Sequence, residues 1–202
     1  MVPSGGSAKE RVVVVAKLQS AVQEIERQRG TLAETLEQKI LILAEEAFEV
    51  LKTLRVRAGV ATDFYWSKGA LGDELLDVLF VTCAIANRLT LSLADNIEAL
   101  VADGRLTLPE CAPEAKDPLD AGLAVTRGVL AVVVASGRTV EHLPTNNIET
   151  NSTFVPDVQL ALGQLVMTVL ALCDAERVEI ARLVGHALEY DQLRLWVNVE
   201  PR

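Results

Sequence analysis

The segment from Lys68 to about Arg88, KGALGDELLDVLFVTCAIANR, constrains the fold more than any other. From Leu75 to Ala86 it is apolar on nearly every side of a helix apart from Asp77, so it belongs at the centre of a packed structure. Its carboxylates Glu74 and Asp77 are three residues apart and share one helical face. An unpaired carboxylate leading into such a helix is costly to bury. Between Lys68 and Arg88 the segment supplies no base, so a cation from elsewhere is expected beside the two acids.

A second acidic pair lies upstream. Leu36, Ile40, Leu43, Ala47, Val50, Leu51 and Leu54 recur at helical spacing and form one stripe, predicting a helix that ends near Arg57. Gly30 stops a preceding helix over about 8–28, and Thr31 is the expected cap of the second, with Glu34 placed for a capping box. Glu46 and Glu49 project together from the edge of the stripe. Alone, such a pair reads as solvated surface acid. If the second and third helices pack antiparallel, however, the two pairs converge, and clustered carboxylate oxygens suit Mg²⁺ or Mn²⁺.

The rest of the chain also reads as helix, giving an all-α fold. Residues 59–68 form a connection holding Phe64, Tyr65 and Trp66, with Ser67 as the expected cap of the third helix. A fourth helix spans about Ser92 to Ala102, with Gly104 as its stop signal. Residues 106–118, containing Pro109, Pro113 and Pro118, read as a linker between a unit over 1–105 and a helical second half over 119–202. That half comprises helices over 119–136, 157–176 and 179–194, with a polar loop over 139–155. Its segment from Leu160 follows the rhythm of the segment from Gly69, which is compatible with a degenerate repeat packed as an internal pseudo-dimer. Two hairpins rich in Ala, Leu and Val also converge on such a rhythm by chance. Aligned on Leu-Gly, Leu165 and Thr168 replace Glu74 and Asp77, so only the first half could bind metal.

Composition narrows the chemistry. The 202-residue chain carries a formal net charge of −9, unlike the basic surfaces that bind nucleic-acid polymers. Cys83, Cys111 and Cys173 show no zinc-like spacing, and Cys83 and Cys173 fall in apolar helical runs as buried thiols. The only histidines, His142 and His186, form no ExxH pair, which argues against a di-iron bundle and against a histidine-based nucleophile. SGGS at residues 4–7 lacks the ending of a phosphate-binding glycine loop. The start has no signal-peptide core, and no run reaches the roughly 18 uncharged apolar residues of a bilayer span, so a cytosolic protein without a membrane partner is expected.

Glu45-Glu46-Ala47-Phe48-Glu49, a connection, then Glu74-Leu75-Leu76-Asp77 resembles the EExxE…ExxD signature of the MazG-like, all-α nucleotide pyrophosphohydrolases, the group that includes the dimeric dUTPases. LQSAVQEIERQRG is similar to the family's first helix, and the resemblance covers about residues 15–105 as a four-helix unit. It implies hydrolysis of a nucleoside triphosphate to monophosphate and pyrophosphate. Glu46, Glu49, Glu74 and Asp77 would hold Mg²⁺ or Mn²⁺, and Glu45 or Glu49 would take a proton from water. It also implies pairing of helical units, as a homodimer or within the chain. Trp66, Lys52, Lys68 and Arg105 are the candidate substrate contacts, although each also reads as core edge or solvated charge. The family commonly carries a Lys and an Asn where this chain has Leu100 and Gly104. Two alternatives therefore stand beside the triphosphatase: a relative acting on another phosphate ester, including a phosphoribosyl-ATP type, and a catalytically reduced helical protein that binds metal, nucleotide or a protein partner.

Overall fold

A computed structural model describes residues 8–60, 70–106, 118–140, 155–182, 184 and 185. The elements are α1 (Ala8–Arg29), a one-turn 3-10 segment (Thr31–Ala33), α2 (Leu36–Arg57), α3 (Leu71–Arg88), α4 (Leu93–Ala102), α5 (Pro118–Val140) and α6 (Val155–Ala175). Among the described residues there is no strand, and the fold is all-α. The helix expected over 179–194 is seen at residues 180–182, 184 and 185, and its remainder lies outside the described residues.

As its sequence demands, α3 is central: it packs against α1, α2 and α6. α5 packs along α2 and against α6, and α4 against α1 and α6. One apolar cluster draws buried side chains from all of these helices, so the second half shares its core with the first. Leu165, which stands where a repeat would place Glu74, is fully buried. A Cβ at Gly128 of α5 would lie 3.0 Å from its Cδ1, a position with no room to solvate a carboxylate. Gly163 permits a similar close approach of α6 to α4, since a Cβ there would lie 2.8 Å from Leu100 Cδ1.

Several helix ends differ from expectation. Gly30 adopts φ 74 and ends α1, but Thr31 enters the 3-10 turn and does not cap α2. The cap is Thr35, four residues on, whose hydroxyl accepts from Gln38 N–H while Gln38 returns a bond to Thr35 N–H. The same S/T-x-x-E/Q pattern occurs at both positions, and the turn after Gly30 consumes the first. α3 begins at Leu71 behind Ala70, which makes no side-chain cap bond. Ser67, its expected cap, lies outside the described residues. Pro118 is the first residue of α5 rather than the last of a linker, matching proline's preference for the first helical turn. α5 continues to Val140 and α6 starts at Val155, so helix occupies both edges of the expected polar loop.

The break between α3 and α4 is a 91° bend. Gln19 of α1 holds it. Its side-chain Oε1 accepts Leu93 N–H at 2.9 Å and its side-chain Nε2 donates to Asn87 Oδ1 and to the Leu91 carbonyl, so a first-turn donor of α4 is satisfied from another helix. Ser92 caps α4, its hydroxyl accepting from Asp95 N–H.

Cys83 and Cys173 are buried free thiols, and burial pushes both well above the usual thiol range. Cys111, Phe64, Tyr65, His142 and His186 lie outside the described residues. Two segments, Pro118–Ser136 and Pro156–Ala175, are long and apolar enough to cross a membrane by length and composition. Neither holds 18 uncharged residues in a row, because Asp120 and Arg127 interrupt one and Asp157 and Asp174 bound the apolar run of the other. The apolar side chains of α6 are largely taken up by the core, whereas α5 leaves Leu123, Leu130 and Val134 exposed.

Candidate metal centre

Packing of α2 on α3 brings acids from both helices together. One carboxylate oxygen from each of Glu46, Glu74 and Asp77 lies within 4.8 Å of the others. Glu46 sits at the margin of the α2 stripe, between buried Leu43 and Ala47 on one side and solvent on the other. Glu74 lies in the first turn of α3, where the positive end of the helix dipole favours a carboxylate. Asp77 follows one turn later.

The charge does not sit as deep as the sequence suggests. Asp77 is exposed and Glu74 and Glu46 are half-buried, because α3 keeps a solvent edge at Asp73 and Asp77 while its other faces pack. Partial burial and mutual repulsion still act. Desolvation raises Glu46 to a pKa of about 7, with the charges of Asp77, Glu74, Glu45 and Glu49 adding to the rise. Glu74 is raised by desolvation, then by Asp77, Glu49 and Asp73, with Lys52 opposing.

Lys52 is thus the cation acting on Glu74, and it comes from α2 rather than α3. It donates to Glu49 at 3.0 Å, so Glu49 stands beside the three converging acids as the carrier of an ion pair. Glu45 is exposed on the outer side of Glu46. Asp73 was not singled out by spacing, yet it adds to the field on Glu74; its place in GDE, just ahead of the acidic pair, is the signal for it.

Arg105 is exposed in the turn after α4, where its N–H bonds to the Leu100 carbonyl and closes that helix. Its position therefore has a backbone role of its own. Trp66 and Lys68 lie outside the described residues. Leu100 is buried and Gly104 adopts φ 68, so the first position faces the core and the second terminates a helix.

All ligand atoms in the cluster are carboxylate oxygens, a hard donor set that fits Mg²⁺ or Mn²⁺ and not a soft metal. An octahedral Mg²⁺ with bonds of about 2.1 Å sets its ligand oxygens roughly 3–4 Å apart, and the three acids lie close enough that they could hold one such ion. No known protein family, curated protein or solved structure matches the chain.

Proposed function

We propose that the chain is a divalent-metal-dependent nucleoside triphosphate pyrophosphohydrolase of the cytosol, releasing nucleoside monophosphate and pyrophosphate. The observation that carries this is the convergence of Glu46, Glu74 and Asp77 from two packed helices. Their repulsion, felt in the raised pKa of Glu46, is the field a divalent cation relieves. The order and spacing of the acids, EExxE then ExxD, resemble the signature of the MazG-like pyrophosphohydrolases, and the triphosphate chemistry is what that resemblance implies.

Glu46, Glu74 and Asp77 would hold Mg²⁺ or Mn²⁺, which supplies charge neutralisation for the phosphates and acidifies water. Glu49 and Glu45 flank them and are the residues to accept the proton of the attacking water. Lys52, bonded to Glu49 and beside Glu74, lies where it can exchange a carboxylate for a phosphate oxygen. A water oxygen forms the new bond to phosphorus, and the bond to pyrophosphate breaks.

A second reading, a helical protein that binds metal or nucleotide without turnover, is favoured by Leu100. Its buried side chain packs at the α4–α6 contact and offers nothing to a substrate. Pyrophosphate release from a panel of ribo- and deoxyribonucleoside triphosphates with Mg²⁺ or Mn²⁺ separates the two. Turnover by the wild type that is lost in Glu74→Gln supports the hydrolase. Metal binding without turnover of any triphosphate supports the second reading.

A further inference from the structure

A cleft of about 430 Å³ opens to solvent between α5 and α6, and none of its lining residues belongs to the helices that carry the acidic cluster. Leu130 and Val134 of α5 and Leu160 of α6 form its apolar walls. Three alanines, Ala131, Ala135 and Ala161, line it where larger side chains would close the space. Leu130 and Val134 remain 56% and 55% exposed, so folding itself does not cover these walls.

The polar groups of the cleft are Asp157 and Gln164, both on α6. They are two helical turns apart, which sets them at the two ends of an apolar wall roughly 10 Å long. Asp157 is in the first turn of α6, where the helix dipole favours its charge. That accounts for an acid at this end of the helix but not for its place on the rim of an apolar cleft. No basic residue lines the cleft. Arg127, exposed on α5 one turn before Ala131, lies outside the lining.

We propose that this cleft binds a small, elongated apolar amine, with its protonated nitrogen on Asp157 and its hydrocarbon body along Leu130, Val134 and Leu160 toward Gln164. The volume is that of a small-ligand site, and mostly apolar walls with a few polar groups are the usual lining of one. A hydrocarbon body gains by covering the exposed leucine and valine. At its end an ammonium donates charge-assisted hydrogen bonds to the Asp157 carboxylate. A ligand carboxylate meets repulsion at Asp157 and finds no base in the lining, and an alcohol forgoes the charge. The Gln164 amide serves a ligand that carries a second polar group at its far end. This site is independent of the metal centre and of the hydrolase reading.

Titration of the isotope-labelled full chain with n-octylamine at pH 7, below the concentration at which the amine forms micelles, tests this through amide chemical shifts. The expected result is saturable binding with a dissociation constant of about 1 mM or tighter, the shifts concentrated at residues 130–135 and 157–164. n-Octanol and n-octanoate bind at least about fivefold more weakly. Asp157→Asn weakens octylamine by a similar factor and leaves octanol unaffected. Ala131→Phe, at an exposed position, fills the cleft and abolishes binding of both. Melts followed by circular dichroism confirm that both variants fold. Octanol binding as tightly as octylamine, an octylamine affinity unchanged in Asp157→Asn, or shifts that gather at Glu46, Glu74 and Asp77 in place of the cleft would each overturn the proposal. So would the absence of saturable binding by the folded wild type.

Discussion

Lys39 of α2 is ion-paired with Glu26 of α1 inside the protein, each side chain less than a tenth exposed. The ammonium also donates to Glu34 at 3.2 Å and to the Thr31 carbonyl at 3.4 Å, so its three N–H groups have three acceptors. Glu26 is less well served, because its second oxygen is buried without a partner.

That asymmetry gives a direct prediction. Lys39→Met strands a buried carboxylate and costs about 3–5 kcal/mol in urea unfolding, whereas Lys39→Met combined with Glu26→Leu recovers most of the loss. A single-variant cost below about 1 kcal/mol would mean that the pair is not buried as described.

Thr90 provides a second test. It occupies the left-handed position after α3 at φ 55, with Thr90 N–H bonded to the Asn87 carbonyl and Leu91 N–H to that of Ala86. α4 ends with the same pair of bonds, but there Gly104 takes the left-handed position. A β-branched residue is strained at such a site. Thr90→Gly is expected to stabilise the protein by about 0.5–1 kcal/mol, read from the denaturation midpoint. The Thr90 hydroxyl donates to the Leu89 carbonyl at 2.7 Å, and a destabilised variant would show that this bond outweighs the strain.

Much of the fold was legible because periodicity reports burial. The stripe of α2 and the centrality of α3 follow from it, and the stop at Gly104 follows from glycine's freedom to take the left-handed position. Capping was less legible, since Thr31 with Glu34 and Thr35 with Gln38 offer the same pattern and only the turn after Gly30 chooses between them. The buried Lys39 was missed, because a lysine at the edge of an apolar stripe ordinarily snorkels to water. For the site, helical spacing paired Glu46 with Glu49 and Glu74 with Asp77 on their own helices. Both acids of α3 join the cluster, but which acid of α2 does so depends on the packing of α2 on α3, and that brings in Glu46 and sets Glu49 on Lys52 instead.

Glu46 makes stability depend on pH in an unusual direction for an acid. Its folded pKa of about 7 lies above the ordinary glutamate value of 4.5, so the folded state holds the extra proton. Its contribution is full below about pH 4.5 and is lost as pH rises through about 7. In the presence of a chelator, the metal-free protein is expected to lose about 1–2 kcal/mol between pH 5 and pH 8, the full shift being discounted for a half-exposed group. Glu46→Gln should flatten that profile in urea unfolding at the two pH values. An unchanged profile would assign the effect elsewhere.

The central claim is that Glu46, Glu74 and Asp77 share one divalent cation. Calorimetric titration of the wild type and Asp77→Asn with Mn²⁺ and Mg²⁺ at pH 8 tests it most directly. The wild type is expected to bind, and Asp77→Asn to bind at least about tenfold more weakly while its unfolding midpoint holds or rises, since the substitution removes a repelling charge. Equal affinity in the two proteins, or no binding by the wild type, would contradict the claim.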